Sequence, residues 1–567
     1  MKVTDAILEM LTQEGIGHLF CVPGQLVDPF LESLANNERC QTIIAAHEAG
    51  AAYMADGYSR ASRRFGVCLA ISGPGITNMI TALATANTDG SPVLTITGTI
   101  RNDQEERGAF QGSIPSGLHG IDITAAVTNQ HLSISSPSQI WRHLQRLLYT
   151  MLGHATRGPV HLSIPVNVQN SQVEGTWQLL PPSLYHPRFV DQQSCNSFWS
   201  TVGERTRVAI LAGAGCVHSD ASAALIAFAE RYHIPVATTA AAKGVFPDTH
   251  PLSLGVFGWF GHDPATRALA TGTLDVLFVL GSRLHMLDTL AWNAGMQPRH
   301  ALIVNDINNN TLFREYPVDL AIQGDARICL ETLMAAPEPS SNIIEQREHW
   351  ITELKPQAET PCEHPKNCRS NQYPIHPARA ISALRQVMPE HCMLFTDSGA
   401  HAFFAGHYWQ ENHSNHCFST LKFMGAMGWA IPAAIGAMLA RPDSPCVVVT
   451  GDGCMLMHGI EIQTAARYHI PLICVVLNNS ALGNPKLRAA RISPAMENMF
   501  ELPTHDWAGF ARSLGAEGIT IEHAEELVPA FQQALAANVT IVIDIRVGNY
   551  PTPTESFDKS IQRHINQ

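Results

Sequence analysis

Five short, almost wholly apolar runs that include or end in a glycine turn constrain the fold of this chain more than any other feature. They lie at 67–75, 93–99, 208–215, 276–283 and 446–453. Runs rich in Val, Ile and Leu are typical of parallel strands buried on both faces. Stretches of helical character, such as 48–60 and 221–232, alternate with them. This alternation predicts an α/β protein with doubly wound parallel sheets covered by helices.

Two weakly periodic segments, 170–205 and 336–375, contain several prolines and predict linkers between domains. They divide the chain into residues 1–180, 195–335 and 375–550, each with its own strand–glycine runs and an ordinary domain size. The total of 567 residues allows three or four domains of roughly 150 residues each. We therefore predict three doubly wound α/β domains.

Composition excludes several classes of protein. Hydrophobic residues make up 45% of the chain and charged residues 15%, which excludes a disordered chain or a coiled coil. The formal charge of −13, with no Lys/Arg block, argues against binding to nucleic acid or to an anionic membrane. Asp5 and Glu9 stand where a signal peptide would be apolar, which argues against secretion. The 13 cysteines are scattered and form no Cys-x-x-Cys pair. We expect reduced thiols and a cytoplasmic protein.

One uncharged stretch, 423–440, is just long enough to suggest a membrane span. Pro432 and several glycines interrupt it, so an apolar helix packed inside a large protein is the better interpretation. We expect no contact with a membrane.

The strongest local signal is the run GDGC at 451–454, followed by Asn478 and Asn479. Asp452 and Asn479 each follow a predicted strand, so their side chains can meet at the carboxyl edge of the sheet, where open α/β sheets bind ligands. Mg²⁺ prefers such oxygen ligands together with phosphate oxygens and water. Gly453 lets the backbone approach a phosphate, and the helix after it directs amide groups there. A tight turn and an asparagine-rich loop are the alternative, but both motifs together predict a diphosphate bound through Mg²⁺.

This pair of motifs resembles the cofactor motif of thiamine diphosphate (ThDP) enzymes, and the resemblance extends over nearly the whole chain. It is closest to the acetolactate synthase branch, beside pyruvate decarboxylase and benzaldehyde lyase. It implies a pyrimidine-binding first domain, a central domain and a diphosphate-binding third domain. It further implies that Asp452, the Asn479 side chain and the backbone oxygen of Ala481 hold Mg²⁺. The other residues that it places at the cofactor are Pro74, Asn78, Gly399, His401, Gly453, Cys454, Leu482 and Gly483.

Glu48 lies among small and apolar residues, with no other acid before Asp56. We expect its carboxyl to be desolvated and its pKa raised, which suits proton transfer. A zinc-protease motif HExxH is excluded because residue 51 is Ala. The resemblance implies that Glu48 is catalytic and hydrogen-bonds N1′ of the aminopyrimidine, so that the cofactor supplies a carbon nucleophile. A buried structural acid is the alternative.

The run KFMGAMG at 422–428 resembles the segment that clamps ThDP between its two rings. The match implies that the Gly425 carbonyl accepts from the 4′-amino group and that Met427 wedges the cofactor into its bent, reactive form. Without the neighbouring motifs, a methionine near glycines is ordinary core filler.

The reaction depends on the fate of the carbanion that forms when a 2-oxo acid loses CO₂: protonation to an aldehyde, or addition to a carbonyl acceptor. Phe110 and Gln111 resemble the Phe-Gln pair of acetolactate synthases, and no His-His pair occurs in 100–130, so a carboligase is favoured. The resemblance places Gln25 and Gln111 toward the substrate. His119 is equally compatible with a site histidine and a surface histidine.

Two departures from acetolactate synthases concern the acceptor. Leu287 stands where they carry an Arg that recognises the acceptor's carboxylate, and Arg488 stands where they carry a Trp. We therefore expect a pyruvate-like donor and a different acceptor, such as a keto-sugar or another ketone or aldehyde. Lys486 and Arg488 suit a phosphorylated or nucleotide-bound acceptor, or belong to an ordinary solvated loop. The alternatives are a non-oxidative 2-oxo acid decarboxylase, a benzaldehyde lyase-type enzyme, and an inactive subunit of this family.

The central domain resembles the one that binds FAD in acetolactate synthases, and FAD, ADP and no ligand all remain open. In this family the first domain of one subunit faces the third domain of another. The resemblance therefore implies a homodimer or homotetramer with active sites at the subunit interface, and small-molecule substrates. The tail after Asn549 has a counterpart that closes over the site in relatives, but nothing in its sequence shows this role.

Overall fold

In the computed structural model, which describes residues 1–105, 107–112, 120–355 and 364–554, three six-stranded sheets follow one another along the chain. All paired strands within these sheets are parallel. Helices cover the sheets, so the predicted fold class is confirmed. His119 lies outside the described residues.

The first sheet has the strand order β2-β1-β3-β4-β6-β5. Its strands are β1 His18–Cys21, β2 Gln41–Ile44, β3 Gly66–Ile71, β4 Val93–Thr99, β5 Gln130–Ser133 and β6 Val160–Pro165. The helices around it are α1 Val3–Gln13, α2 Asp28–Ala35, α3 Glu48–Ser62, α4 Pro74–Asn78, α5 Ile80–Asp89, α6 Gly120–Ala125, α7 Ile140–Leu152, α8 Val166–Gln169 and α9 Pro182–Tyr185.

The middle sheet has the order β12-β11-β10-β7-β8-β9. Its strands are β7 Val208–Ala212, β8 Val236–Thr238, β9 Ser253–Val256, β10 Val276–Leu280, β11 Ala301–Asp306 and β12 Leu320–Gln323. Its helices are α10 Gln192–Val202, α11 Ala214–His218, α12 Ser222–Tyr232, α13 Asp263–Leu269, α14 Ala326–Leu333 and α15 Ser341–Leu354.

The third sheet has the order β14-β13-β15-β16-β18-β17. Its strands are β13 Met393–Thr396, β14 Cys417–Ser419, β15 Cys446–Gly451, β16 Ile473–Asn478, β17 Glu517–Ile521 and β18 Ile541–Arg546. Its helices are α16 Pro365–Cys368, α17 Pro377–Val387, α18 Ala400–Tyr408, α19 Ala430–Ala440, α20 Asp452–His458, α21 Ile462–Arg467, α22 Gly483–Ala490, α23 Pro494–Asn498, α24 Trp507–Ser513 and α25 Leu527–Ala537.

The five apolar runs of the sequence form β3, β4, β7, β10 and β15. Strands β3, β7, β10 and β15 are buried at every residue, because helices cover both faces of each sheet. The helical stretches at 48–60 and 221–232 correspond to α3 and α12.

Helices α3 and α19 pack directly on each other and join the first sheet to the third. A Cβ at Gly57 would lie 1.9 Å from the Ala433 carbonyl oxygen, and one at Gly436 would lie 1.9 Å from that of Met54. Only glycine permits this approach of two backbones. The uncharged stretch 423–440 therefore ends in the buried helix α19, as expected. Among the described helices, none is long and apolar enough to cross a membrane.

Both predicted linkers contain helices. The segment 170–205 includes α10, which packs beside β12 of the middle sheet, and 336–375 includes α15. The interpretation of these segments as plain linkers was therefore wrong in part: their helices make tertiary contacts that weak periodicity did not reveal.

Most cysteines behave as expected: eleven of those in the described residues are free thiols. Cys368 is disulfide-bonded, so the expectation of reduced thiols throughout is wrong at this position.

Candidate active site

The predicted motif residues meet at the carboxyl edge of the third sheet. Strand β15 ends at Gly451 beside Leu477 of β16, which brings the next residues of both strands together. The backbone N–H groups of Asn479 and Ser480 donate to Asp452 Oδ2 over 3.0 and 3.1 Å. The sequence prediction that Asp452 and Asn479 share this edge is therefore correct.

A cavity opens at the same edge, between the loops that follow β13, β15, β16 and β18. It is lined by ten of the residues predicted to hold cofactor or metal: Gly399, His401, Met427, Asp452, Gly453, Cys454, Asn479, Ala481, Leu482 and Gly483. A Cβ at Gly453 would come within 2.7 Å of Met427 Cε and Leu482 Cδ2, so a side chain here would crowd the cavity. Gly425, which has φ +61°, lies in the same loop as Met427 but is not among the lining residues.

Oxygen atoms of Asp452, Asn479 and Ala481 form a cluster in this cavity. If the Asn479 amide were turned by 180°, its nitrogen would donate to Ala481 O at 3.0 Å and to Asp452 Oδ2 at 3.1 Å. With Oδ1 assigned to that place, Nδ2 is directed at Asn549 instead. This assignment brings three oxygens together and suits a bound cation, whereas the turned amide satisfies its hydrogen bonds without one. Neighbouring oxygens around Mg²⁺, at 2.0–2.1 Å in an octahedron, stand about 2.9 Å apart. The donor set therefore fits Mg²⁺.

Asp452 is held on both oxygens. Trp507 Nε1 donates to its Oδ1 over 2.9 Å, while two backbone amides hold Oδ2. Burial raises the pKa of this carboxyl, and these hydrogen bonds oppose the rise. Ser480, at φ +51°, turns the chain after Asn479 so that Ala481 lines the cavity.

Asp397 fixes the loop that carries Met427. Its Oδ1 accepts from the backbone amides of Gly428, at 2.8 Å, and Trp429, at 3.1 Å, and Thr450 Oγ1 donates to its Oδ2. The carboxyl is fully buried, and burial raises its pKa to about 6. Sequence reasoning placed Gly399 and His401 at the cofactor but gave Asp397 no role, although an acid directly after a buried strand is the signal that it shares with Asp452.

His401 lies in the wall of the cavity, packed against Gly399 and Gly451. Burial lowers the pKa of its imidazole to about 4, so the ring is neutral near pH 7. Among the described residues its Nε2 has no hydrogen-bond partner, which leaves one buried polar atom for a ligand.

The other predicted residues lie at the carboxyl edge of the first sheet. Gln25 follows β1, Glu48 follows β2, Pro74 and Asn78 follow β3, and Gln111 follows β4. Asn78 Nδ2 donates to Glu48 Oε2 over 2.9 Å. Glu48 is only half-buried in the single chain, so the expected desolvation is not observed there.

Glu461 anchors the start of the helix that Glu48 begins. Its carboxylate accepts from the backbone amides of Ala46 and His47, both at 3.1 Å, and from Thr464 Oγ1 at 2.7 Å. Glu461 is fully buried, and burial raises its pKa. No local signal identified this residue, because its backbone partners lie more than 400 positions away in the sequence.

The first-sheet residues and the cavity are separate parts of one chain. None of Gln25, Glu48, Pro74, Asn78 and Gln111 is among the residues that line the cavity. Gln111 has φ +60°, and its carbonyl oxygen accepts a hydrogen bond from Ser72 Oγ over 2.7 Å. The neighbouring Phe110 is 83% exposed.

Comparison with known proteins places the first-sheet residues and the cavity in two domains of one protein family. Residues 1–119 match the model "Thiamine pyrophosphate enzyme, N-terminal TPP binding domain", 199–333 match the central domain and 397–545 match the C-terminal TPP binding domain. The probable acetolactate synthase large subunit of Methanocaldococcus jannaschii is 30% identical over 96% of this chain and 92% of its own. The chain belongs to the thiamine pyrophosphate enzymes, in their acetolactate synthase-like branch.

Two further relatives show the breadth of this branch. The acetolactate synthase large subunit of Corynebacterium glutamicum is 30% identical, over 97% of this chain and 87% of that protein. The glyoxylate carboligase of Escherichia coli O157:H7 is 27% identical, over 96% and 93%.

This thiamine pyrophosphate enzyme has another cavity, of about 170 Å³, at the carboxyl edge of the middle sheet. Gly215 follows β7 and Asp306 ends β11 in its wall, and Arg157 reaches it from the first domain. Among the described residues, the buried Arg157 Nε has no hydrogen-bond partner, and burial lowers the pKa of this guanidinium to about 10. This cavity suits a nucleotide, because a guanidinium can bind its phosphates and an aspartate at the end of a strand can bind its ribose.

The two residues expected to depart from acetolactate synthases take different positions in this enzyme. Leu287 is buried, whereas Arg488 is exposed on α22. Lys486 forms an ion pair with Glu501 at 2.9 Å, so its charge is already neutralised. This pairing weakens Lys486 as an anion ligand and leaves Arg488 as the available cation of the two.

Proposed function

We propose that this enzyme is a ThDP- and Mg²⁺-dependent carboligase that decarboxylates a pyruvate-like 2-oxo acid and transfers the acyl group to a carbonyl acceptor. The observation that carries the proposal is the oxygen cluster of Asp452, Asn479 and Ala481 in the wall of a cavity that Gly453 keeps open. The names of the relatives, acetolactate synthase and glyoxylate carboligase, support carboligation over simple decarboxylation.

In the proposed mechanism, bound ThDP supplies a carbon nucleophile, and this chain's residues bind and orient it. Asp452, Asn479 Oδ1 and the Ala481 carbonyl would hold Mg²⁺ against the diphosphate. The neutral His401 is placed to donate to a phosphate oxygen from Nε2. Met427 shapes the cavity beside Gly453, on a loop that Asp397 fixes.

Glu48 is the proposed proton carrier, through its carboxyl oxygens. Asn78 holds Oε2 and thereby leaves Oε1 to face the cofactor's ring nitrogen. Gln25 and Gln111 are the proposed substrate-facing residues, because both follow strands of the same sheet edge as Glu48. Phe110, which is largely exposed in the single chain, would shield the reacting atoms from water.

We infer that two copies complete each site, because the first-sheet residues do not line the cavity of their own chain. An apolar surface next to the cavity supports a partner: Leu456, Met457 and Ile460 are 52%, 53% and 41% exposed. A second copy that placed its Glu48 over this cavity would desolvate that carboxyl, as the sequence predicts. The assembly is a homodimer or homotetramer.

For the remaining features, we propose domains of 1–180, 195–335 and 375–550, because each holds one complete sheet. The middle cavity is proposed to take FAD, with ADP or no ligand as the alternatives. A cytoplasmic location agrees with the eleven free cysteines. Arg488 supports an acceptor with an anionic group in place of a second pyruvate.

The deciding experiment is mass spectrometry of the products that the holoenzyme forms from pyruvate alone and from pyruvate with a panel of aldehydes, ketones and keto-sugars. A mixed product with one acceptor supports the proposal, and acetolactate from pyruvate alone would overturn the altered acceptor. Free aldehyde as the sole product would identify a decarboxylase. No product from any pair, despite bound ThDP, would identify an inactive subunit.

Two variants test the assigned residues in the same assay. Glu48→Gln should abolish turnover while ThDP still binds, and Asp452→Asn should lose Mg²⁺-dependent ThDP binding. Flavin absorbance of the purified protein tests FAD, and release of ADP on heat denaturation tests the alternative.

A further inference from the structure

One segment of the third domain lies in the walls of both cavities. Phe418, Ser419 and Lys422 line the cavity at the carboxyl edge of the middle sheet, called here the middle cavity. Met427, a few residues further along the chain, lines the cavity proposed for ThDP. A ligand in the middle cavity can therefore reach the segment that shapes the other cavity.

The loop between these two walls, residues 420–428, is called here the clamp loop and is tied together by its own hydrogen bonds. Thr420 Oγ1 donates to the Ala426 carbonyl oxygen over 3.1 Å, directly before Met427. The Lys422 amide donates to the Thr420 carbonyl oxygen over 2.7 Å. Lys422 and Met427 therefore belong to one hydrogen-bonded unit, and a force on the first is passed to the second.

The Lys422 ammonium is a cation in the wall of the middle cavity. It lies 3.6 Å from Asp89 Oδ2, beyond hydrogen-bond distance, and its side chain is 19% exposed. Arg60 Nη2 donates to the same Asp89 oxygen over 2.7 Å. Burial would raise the pKa of the Asp89 carboxyl, but Lys422 and Arg60 lower it overall. Among the described residues the ammonium forms no hydrogen bond, so its three N–H groups are available to a ligand.

The surroundings of Lys422 favour an anionic ligand. Arg157 lines the same cavity, and its buried Nε has no hydrogen-bond partner among the described residues. His218 lines it as well, and burial together with the charges of Arg157, Lys422 and two further arginines holds its pKa well below the usual range. Charges that disfavour a proton in this wall attract a phosphate group.

We propose that Lys422 binds the phosphates of a nucleoside diphosphate in the middle cavity and positions the clamp loop, so that this ligand and ThDP bind cooperatively. The inference rests on the proposed ThDP function and extends it to the ligand of the middle cavity. A nucleotide that holds Lys422 fixes the loop where ThDP needs it, and bound ThDP does the same for the nucleotide. Since the two equilibria are linked, each ligand tightens the other by one and the same factor, called here the coupling factor.

The test is calorimetric titration of the ligand-free enzyme with ThDP and Mg²⁺, without and with saturating ADP or FAD, which both carry an adenosine diphosphate group. In the wild type the coupling factor should be at least about five, whether ThDP or the nucleotide is titrated second. Adenosine, which lacks the phosphates, should give a factor near one.

Two variants test the role of Lys422 in these titrations. Lys422→Met removes the charge and the N–H donors at similar length. It should weaken nucleotide binding at least about tenfold and reduce the coupling factor to less than about two. Lys422→Arg keeps a cation and should retain the coupling factor, so a loss in this variant as well would contradict an anion-binding role.

Lys2→Met is the matched control, because Lys2 also forms an ion pair, with Glu32 at 2.6 Å, and has a side chain that is 22% exposed. It lines neither cavity, so both affinities should equal those of wild type.

Three results would overturn the role of Lys422. They are a wild type that binds ThDP but neither nucleotide, a wild-type coupling factor near one or equal to that with adenosine, and an unchanged factor in Lys422→Met even where both affinities fall. A wild-type enzyme that binds no ThDP with Mg²⁺ would instead contradict the proposed function.

Discussion

Asn78 and Glu48 are joined by a 2.9 Å hydrogen bond from Nδ2 to Oε2, although they follow different strands of the first sheet. The bond holds a half-buried glutamate in one direction at a sheet edge. Sequence reasoning placed Asn78 at the cofactor, whereas the structure shows it in contact with the proposed proton carrier.

Asn78→Ala is expected to lower kcat by about 10- to 100-fold, since misplacing a catalytic group by even about 1 Å can cost that much. The Kd for ThDP should change by less than about threefold, because Asp452 and Asn479 are untouched. Steady-state kinetics and a ThDP titration together measure this split. The neighbouring exposed Thr77 provides the control Thr77→Val, and a parallel loss of kcat and ThDP affinity would contradict a positioning role.

Glu461→Gln tests the anchor of the same helix start. The amide keeps one accepting oxygen and turns an NH₂ group toward a backbone N–H of Ala46 or His47, which leaves a partly buried donor without an acceptor. We expect the free energy of unfolding to fall by about 1–3 kcal/mol, with a lower kcat. Denaturant unfolding and kinetics measure both effects. The exposed Glu345 supplies the control Glu345→Gln, and equal stability of the two variants would refute the anchor.

The strands and the meeting of Asp452 with Asn479 could be predicted because both follow from local pattern. Apolar runs between glycine turns identify buried parallel strands, and parallel strands bring their carboxyl ends to one edge. The helix at 430–440 could be predicted for the same reason, since an uncharged run interrupted by Pro432 fits burial better than a membrane.

The roles of Asp397 and Glu461 could not be predicted, because each acts through a contact that only the tertiary fold creates. Asp397 holds amides 31 and 32 positions later, and Glu461 holds an amide 414 positions earlier. The expected desolvation of Glu48 is not observed in the single chain and would need the proposed second copy. A local sequence pattern identifies the residue types that follow a strand. It does not identify the distant backbone amides with which they form hydrogen bonds.

Asp397→Asn should change how stability depends on pH. Burial raises the pKa of Asp397 to about 6 in the folded chain, whereas an unfolded aspartate ionises near about 3.9. Between these values the folded chain retains a proton that the unfolded chain has released. The contribution of this carboxyl to stability is therefore complete below about pH 4 and is lost as the pH rises to about 6.

Because Asp397→Asn cannot titrate, its free energy of unfolding relative to wild type should improve by about 2 kcal/mol between about pH 4.5 and pH 7. Denaturant unfolding of the cofactor-free protein at the two pH values measures this difference. The exposed Asp443 supplies the control Asp443→Asn. A gap between Asp397→Asn and wild type that does not change with pH would contradict the raised pKa.

Gly57→Ala and Gly436→Ala test the contact between α3 and α19. Alanine favours a helix over glycine by about 0.5–1 kcal/mol, but each new Cβ would meet a carbonyl oxygen at 1.9 Å. Separating the helices should cost about 3 kcal/mol, so the steric effect wins and both variants should be destabilised. Gly17→Ala, where a Cβ meets nothing within 4 Å, is the control.

The same variants should also lower ThDP affinity, because α3 begins with Glu48 and α19 follows the loop that carries Met427. Moving the two helices apart therefore displaces both parts of the proposed site at once. Thermal unfolding with and without ThDP and Mg²⁺ measures the two effects separately. Destabilised variants that kept wild-type ThDP affinity would show that this contact serves stability alone and does not set the geometry of the site.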